Sequence, residues 1–290
     1  MDPDAREMRG RELRGASWMI AGATGLAISM AIIKALAADL PEPVIVLCRF
    51  GFALVFCGPA LVAHGPGMLR TGRIGGHALR IGCGYAGFVC FVYASARMPL
   101  ADAMALGFTQ PLWAAVFAAA VFGERLGAVR VGALVVGFAG AMLVLRPGFG
   151  AAPPLPALAA LANAVLTCVA MMTVKRLTAT EPPARIALMF LLVSALLSVL
   201  PAAASWATPT LDLLPMLIAT GAIAWFNQLA LTRGYALGSF AVMAAMDFAR
   251  LPAAVAIGWM LFGEAPDLAA LVGIVLIGAA STAIVLGRPR

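Results

Sequence analysis

Residues 100–126 read LADAMALGFTQPLWAAVFAAAVFGERL, an almost wholly apolar stretch with a proline at position 111 and a Gly-Glu pair near its end. Its apolar part exceeds the ~20 residues that an α-helix needs to cross a bilayer. Residues 238–264 read GSFAVMAAMDFARLPAAVAIGWMLFGE and repeat its main features, with a proline at position 252 and a final Phe-Gly-Glu. The two Phe-Gly-Glu triplets lie about half the chain length apart. The pattern therefore predicts two copies of one membrane unit.

Composition extends this prediction to the rest of the chain. Of the 290 residues, 63% are hydrophobic and only 11% are charged, and the mean hydropathy is +0.99. Soluble domains carry about 25% charged residues. These values exclude a soluble globular protein, a disordered chain and a collagen-like chain. We predict an all-α polytopic membrane protein with ten transmembrane helices, at about 16–36, 44–63, 79–96, 100–121, 128–145, 155–174, 186–204, 212–232, 238–262 and 267–286.

The basic residues predict how these spans are oriented. Fifteen of the 20 lysines and arginines lie in the N-terminal tail or at the same side of the predicted membrane. Only Arg97 and Arg146 lie at the other side, and Lys34, Arg49 and Arg250 lie inside spans. Because basic residues favour the cytoplasmic side, we expect a multi-pass protein of the bacterial inner (plasma) membrane with both termini in the cytoplasm.

The number of spans in each half predicts the relation between the halves. Each copy of the repeat has five spans, and five is odd, so the second copy enters the membrane from the opposite face. Such inverted-topology repeats are typical of secondary transporters. We therefore divide the chain into a cytoplasmic tail over residues 1–15, a first repeat over 16–150 and a second repeat over 151–290.

The residues that recur in the two copies resemble those of a known family. The segment from Tyr93 through Pro111 to Gly123-Glu124-Arg125-Leu126, and its counterpart from Tyr235 to Gly263-Glu264, are similar to the EamA-type repeat of the drug/metabolite transporter superfamily. The resemblance covers nearly the whole chain after residue 15. It implies ten helices, a central cavity lined by spans one, three, four, six, eight and nine, and alternating access. The second copy departs from the first at Ala265, where the first has an arginine, which puts only a surface contact in doubt.

Asp247 and Arg250 are the strongest candidates for a substrate-binding site. Both lie near the middle of span nine, where one charge costs about 2.5–3.5 kcal/mol on insertion scales. They are three residues apart and therefore share a helix face. Two interpretations remain open: a structural ion pair, or a pair that faces the cavity and binds a zwitterion. Asp247 is also the one candidate for proton coupling, because it is the only carboxylate deep in a span.

Other candidates follow from charge and from the expected lining helices. Arg49 lies about six residues inside span two and could attract an anionic group, whereas Lys34 can extend to the interface and Asp102 suits a helix start. The polar and aromatic candidates on the lining helices are Tyr93, Gln110, Trp113, Asn163, Trp225 and Asn227, with Tyr85, Thr167 and Gln228 as further members of the same class.

Prolines and Gly-Glu pairs have a mainly mechanical interpretation. Pro111 and Pro252 each remove a backbone donor and free the carbonyl four residues earlier, so we predict kinks that shape the cavity. In each Gly-Glu pair the glycine is expected to end one helix. The glutamate is then expected to lie at the start of the next helix, where the dipole favours an anion. Glycines in spans five and ten predict either a dimer face or close internal packing, so a monomer and a homodimer both remain open.

These features together predict a secondary active transporter that moves a small organic metabolite, such as an amino acid, a riboflavin-like ring or an S-adenosylmethionine-like molecule. A proton-coupled drug or metabolite exporter is the alternative, and a channel or a non-transporting membrane protein is a more distant one. The spans contain no His-Glu-x-x-His motif, paired aspartates or Ser-His arrangement, so we expect no enzyme activity. We also expect no cofactor, no metal and no nucleic-acid partner.

Overall fold

The computed structural model describes residues 3–95, 97–98, 100–124, 127–146, 154–262 and 266–286. Within these ranges all regular structure is helical. The helices are α1 (Pro3–Leu36), α2 (Glu42–His64), α3 (Ile74–Ser95), α4 (Leu100–Gly107), α5 (Gln110–Phe122), α6 (Ala128–Leu145), α7 (Pro154–Leu177), α8 (Pro183–Ala204), α9 (Leu214–Leu237), α10 (Phe240–Ala245), α11 (Arg250–Phe262) and α12 (Leu268–Leu286).

The twelve helices correspond to the ten predicted spans. Eight spans are single helices, whereas span four consists of α4 and α5, and span nine consists of α10, a 3-10 turn over Met246–Ala249 and α11. Eight helical stretches in the described ranges are long and apolar enough to cross a membrane, and α12 adds a shorter apolar helix. Large apolar side chains point outward, as at Val62 and Leu200, which are 84% and 80% exposed. Such a surface is suited to lipid, and the all-α membrane fold is confirmed.

Helix boundaries differ from the prediction at one place that matters for the site. The third span begins at Ile74, five residues earlier than the predicted start. Arg80 therefore lies inside α3 rather than at the end of a loop, and it is only 3% exposed. The total of fifteen basic residues counted Arg80 in the connection after span two, over residues 64–80. That assignment was wrong, because the small and apolar residues around Arg80 continue the helix.

Helix packing follows the pattern that two related halves require. The most extensive contacts join α1 to α9, α3 to α7, and α6 to α12. If each span is exchanged for its counterpart in the other half, α1 becomes α7, α9 becomes α3, and α6 and α12 exchange places. The α1–α9 contact then becomes the α7–α3 contact, and the α6–α12 contact stays the same. This pattern supports the two-repeat prediction. The predicted division near residue 150 falls outside the described residues and stays a prediction.

The glycines of spans five and ten mediate close internal packing. A Cβ atom added to Gly140 would lie 2.8 Å from the carbonyl oxygen of Gly273, and one added to Gly273 would lie 2.6 Å from that of Gly140. The α6 and α12 backbones are therefore in direct contact at this point. By contrast, a Cβ on Gly132 or Gly278 would meet no atom within 4 Å. Internal packing thus explains Gly140 and Gly273 without a dimer interface.

Replacing Gly140 by alanine is expected to destabilise the protein by about 1–3 kcal/mol, because the added methyl group would force two helix backbones apart. Thermal unfolding in detergent checks this. Gly132→Ala is the matched control, since it lies on the same helix and its added methyl group meets no neighbour. Equal melting temperatures for the two variants would contradict the close contact of α6 and α12.

Candidate functional site

The first element of the candidate site is the break in span four. α4 ends at Gly107, and α5 begins at Gln110, with Pro111 as its second residue. The backbone N–H of Thr109 donates to the carbonyl of Leu106 at 3.1 Å, which is a 3-10 type bond. Proline cannot supply the N–H that the carbonyl of Gly107 would need in a continuous helix. The break therefore lies immediately before the proline.

Span nine is broken in the same way. α10 ends at Ala245, and the 3-10 turn over Met246–Ala249 connects it to α11, in which Pro252 is the third residue. The backbone N–H of Arg250 donates to carbonyls of this turn rather than to a residue four positions earlier. Short 3-10 segments inside long helices often mark functional hinges. Both halves thus place a hinge-like break before the repeated proline.

The two breaks face each other through aromatic side chains. Phe108 and Phe248 stack with their ring centroids 6.0 Å apart and their planes at 13°. Both rings are almost completely buried. The guanidinium group of Arg250 lies over the Phe108 ring, with its central carbon 4.4 Å from the centroid. A residue from each half therefore contributes to one aromatic and cationic cluster, which we call the break cluster (Phe108, Asp247, Phe248 and Arg250).

Asp247 and Arg250 form the predicted ion pair in this cluster. The Nη2 atom of Arg250 lies 3.0 Å from the Oδ2 atom of Asp247, and the two side chains remain 27% and 24% exposed. The Nε atom of Arg250 is buried without a hydrogen-bond partner. Because the pair is only partly covered, its outer atoms are available to a ligand. A guanidinium group binds a carboxylate in a fork, a carboxylate accepts an amine, and the rings offer an apolar face.

Two other predicted residues lie near the span-four break. Gln110 is the first residue of α5 and is buried. Asn163 of α7 places its Nδ2 atom 3.4 Å from where a Cβ on Gly107 would stand. The hydroxyl of Thr167 donates to the Oδ1 atom of Asn163 at 3.2 Å. The polar pair on α7 therefore lies against the end of α4.

The remaining predicted residues lie elsewhere. Trp113 is 38% exposed on α5, on the same side as the 57% exposed Val116. Tyr93 lies beneath the guanidinium group of Arg97, at 4.0 Å from its ring centroid, where α3 ends. Asn227 packs against α1, with its Oδ1 atom 3.1 Å from where a Cβ on Gly22 would stand. The described contacts of these three residues do not include the break cluster.

Trp225 and Arg49 belong to another group, between α2, α8 and α9. Trp225 packs with Phe50 and Phe190 in one apolar cluster. The Phe50 and Phe190 rings meet edge to face at 6.2 Å, and the guanidinium of Arg49 lies 6.0 Å from the Phe50 centroid. The predicted residues thus lie at the two breaks, in this second group, or, for Trp113, Tyr93 and Asn227, at separate positions.

Arg80 is a buried cation that the sequence analysis missed as a candidate. Its guanidinium group lies 4.1 Å from the centroid of Phe190, and its Nη2 atom donates to the Oε1 atom of Gln228 at 3.4 Å. Arg80 stands directly between Leu79 and Ile81, and this apolar context was the signal that could have placed it in a helix.

Glu124 acts at a different helix from the one predicted. Gly123 ends α5 in the left-handed conformation, with φ of 65°, as expected for this position. The Glu124 carboxylate accepts hydrogen bonds from the backbone N–H groups of Phe240 at 2.7 Å and Ala241 at 3.3 Å. It therefore caps α10, in the other half, and the expectation that it lies at the start of α6 was wrong. The N-terminal N–H groups of α10 have no partner within that helix and attract an anion.

Further polar contacts join the helices at this end of the bundle, which we call the basic end (the connections at 65–73, 123–127, 178–182 and 238–239). Lys175 donates from Nζ to the carbonyl of Tyr235 at 2.9 Å and also to that of Gly238. The rings of Phe122 and Phe240 are 5.4 Å apart. The α5 and α10 halves of the two broken spans are therefore held together at the basic end.

Glu181 ties two connections of the basic end together. It accepts a hydrogen bond from the hydroxyl of Thr71, and its Oε2 atom lies 2.6 Å from Nε2 of His77. Burial alone would raise the pKa of the Glu181 carboxyl, but the contacts with Thr71 and His77 and the charge of Arg185 hold this pKa below its ordinary value. The carboxylate is therefore ionised at neutral pH, as an acceptor in this network must be.

The opposite end of the bundle is arranged differently. There α4 packs on α7 and α3, whereas α11 packs on α1. Arg146 and Asp267 form an ion pair in which both side chains are more than half exposed. The predicted Gly263-Glu264 pair lies outside the described residues, as do the side chains of Lys34 and Asp102.

Comparison with known proteins identifies the family. The model of the EamA-like transporter family matches residues 13–146. A riboflavin transporter of Rhizobium johnstonii is 32% identical over 289 residues, which cover 97% of this chain and 93% of that protein. The chain belongs to the EamA-like transporter family. It is a multi-pass membrane protein and a metabolite transporter of the drug/metabolite transporter type, as the sequence predicted.

Other relatives carry different names. A pseudopaline exporter of Pseudomonas aeruginosa is 29% identical over 262 residues, covering 88% of this chain and 89% of that protein. An S-adenosylmethionine uptake transporter of Rickettsia bellii is 24% identical over 279 residues, which cover 95% of this chain and 94% of that protein. A solved crystal structure with 23% identity superposes with a TM-score of 0.82 over 96% of this chain and 97% of the other, and shows the same fold.

Proposed function

We propose that this transporter is a secondary carrier of a small organic metabolite that combines a planar ring with a charged group. Its substrate would bind at the break cluster and cross the bacterial inner membrane by alternating access. The single observation that supports this most is the meeting of the two broken spans, where Arg250 covers Phe108 and Phe108 stacks on Phe248. Helices interrupted near the bilayer midplane are where carriers of this architecture bind substrates.

The ion pair of the cluster gives the proposed site both signs of charge. A carboxylate or phosphate of the substrate would bind the outer edge of the Arg250 guanidinium, and an amine would bind Asp247. Phe108 and Phe248 are buried against each other in the described conformation, so a planar ring would stack on them only when the two breaks move apart. Riboflavin has such a ring without a charged group, and S-adenosylmethionine has both a ring and charged groups, so the two together are suitable first probes.

The asymmetry of the bundle supports alternating access as the mechanism. The α5 and α10 halves of the broken spans pack together at the basic end, whereas α4 and α11 pack on different helices. The basic residues that remain on that side favour the cytoplasm, so we place the basic end and both termini there. The described conformation then corresponds to a carrier closed toward the cytoplasm. Bending at the two breaks would reverse this closure.

Coupling to protons remains the alternative form of this proposal. Asp247 would release its proton when Arg250 pairs with it. It would take up a proton when a substrate anion draws Arg250 away. An imposed pH gradient across proteoliposomes should then drive accumulation, and Asp247→Asn should remove that effect of the gradient while substrate exchange continues.

Counterflow in proteoliposomes tests the carrier function. Vesicles loaded with unlabelled riboflavin or S-adenosylmethionine should transiently accumulate the labelled form of the same compound, and the initial rate should saturate with its concentration. Protein-free vesicles are the control. Flux without counterflow would indicate a channel, and conversion of the compound without flux would indicate an enzyme. Either result, or no movement of either compound, would contradict the proposal.

A further inference from the structure

We propose a second binding site in this carrier, formed by Arg80 and Arg49 at the two ends of the Phe50–Phe190 pair, that takes the carboxylate or phosphate group of an organic anion. The inference rests on the proposed transport function and names the class of substrate. It is distinct from the break cluster, which is formed by spans four and nine, because its residues come from α2, α3, α8 and α9.

The side chain of Arg80 is directed into the bundle rather than toward the nearer membrane surface. It lies in the second turn of α3, so an arginine here could extend back toward the start of the helix. Its Nη1 atom instead lies 2.5 Å from where a Cβ on Gly84 would stand, one turn deeper. A methyl group at position 84 would therefore have to displace the guanidinium, which is the flexible end of its side chain. The charge is therefore held where it is costly.

Arg49 lies at the other ring of the same aromatic pair. Its guanidinium is 6.0 Å from the centroid of Phe50, and that of Arg80 is 4.1 Å from the centroid of Phe190. The two rings are themselves in edge-to-face contact. Trp225 completes the apolar cluster around them. The two cations are therefore connected through one pair of aromatic rings that are in contact with each other.

Neither cation has an acidic partner in the part of the chain that the structure describes. The Nε atoms of both arginines are buried without a hydrogen-bond partner. The one polar side-chain contact of the Arg80 guanidinium is the neutral amide of Gln228. Asp247 is paired with Arg250, so Arg80 and Arg49 have no counter-ion among the described residues. A buried charge without a counter-ion is strongly unfavourable, and an anionic substrate would supply the counter-ion.

Paired ligands that differ only in an acidic group test the proposal. Riboflavin is compared with riboflavin 5′-phosphate, and nicotinamide with nicotinate, by quenching of tryptophan fluorescence in nanodiscs of phosphatidylcholine. We expect the anion of each pair to bind at least about tenfold more tightly, as for one charge-assisted contact. Arg80→Gln and Arg49→Gln should each abolish this preference. Gly84→Ala should weaken it while keeping both charges, because the methyl group displaces the Arg80 guanidinium.

The matched control is Arg97→Gln. Arg97 follows the end of α3. Its guanidinium group lies 4.0 Å from the centroid of the Tyr93 ring, as that of Arg80 lies over a ring, but Arg97 is exposed. This variant should bind all four ligands as the unmodified protein does. Trp225→Phe identifies the fluorescence change that comes from the proposed site.

Several results would overturn the site. They are equal or tighter binding of the neutral member in both pairs, no binding of either anion, or an anion preference that survives Arg80→Gln. Loss of anion binding when phosphatidylglycerol is added would assign the pocket to a lipid headgroup and overturn the substrate assignment. Normal counterflow without an anion preference removes only this inference. Anion binding without counterflow leaves the site in place and removes the carrier function.

Discussion

Replacing Arg250 by glutamine is expected to lower the initial rate of counterflow at least about 100-fold, which corresponds to about 2.7 kcal/mol. Arg250 is the only described cation of the break cluster, and glutamine keeps a polar side chain, though a shorter one, but removes the charge and the fork of donors. The rate in proteoliposomes, at matched protein incorporation, measures the effect. The variant should elute as one peak in detergent and should reach the membrane in normal amounts, because its ion pair is only partly buried.

A double variant separates a binding role from a structural one. Asp247→Asn alone leaves Arg250 without its partner, whereas Asp247→Asn with Arg250→Gln replaces the whole pair by neutral groups of similar shape. Replacing both members of an ion pair removes the penalty of an uncompensated charge. If the pair only holds the bundle together, the double variant should therefore recover transport that a single variant has lost. We expect no recovery, and a recovered rate would make the pair structural.

Replacing Glu124 by glutamine is expected to open the basic end. The carboxylate accepts two backbone N–H groups of α10, and a hydrogen bond to a charged group contributes about 1.5–3 kcal/mol. A glutamine amide offers one acceptor oxygen and no charge, so at least one of these bonds should weaken. Amide hydrogen exchange over residues 240–245 should become roughly tenfold faster, because 1.4 kcal/mol corresponds to a factor of ten. Transport should slow as well, because a carrier that takes up substrate from one side of the membrane must be closed toward the other side.

Asp267→Asn is the matched control for Glu124. Asp267 also caps a helix, since its Oδ1 atom accepts the backbone N–H of Ala270 at 3.0 Å, but it lies at the opposite end and is exposed. Its pKa is held below the ordinary value by backbone hydrogen bonds and by Arg146. This variant should leave exchange over residues 240–245 unchanged. Unchanged exchange in Glu124→Gln as well would contradict a closing role for the cap.

The sequence predicted the membrane fold and the two interrupted spans well, because these depend on local signals. Runs of apolar residues define the helices. The ring of Pro111 or Pro252 excludes a continuous hydrogen-bond ladder wherever the chain folds. The pairing of Asp247 with Arg250 was also predictable, since the two residues lie three positions apart in one span. Each of these features requires only residues close in sequence.

Features that depend on distant residues were not predictable in the same way. The carboxylate of Glu124 binds backbone N–H groups more than 100 residues away, and no local pattern distinguishes that cap from a cap on the following helix. The depth of Arg80 depends on Gly84 and on a phenylalanine of α8. Trp225 and Arg49 were predicted as site residues, but their meeting around one pair of rings is a property of the assembled bundle.

The cap that Glu124 provides also bears on how the protein is made. Residues 123–127 leave the ribosome well before α10, so the first half of the chain must wait in the membrane with its carboxylate unmatched. The extensive contact between α1 and α9 imposes the same delay on the first helix. Completion of the bundle therefore comes late in synthesis, when α9 and α10 can contact the helices of the first half.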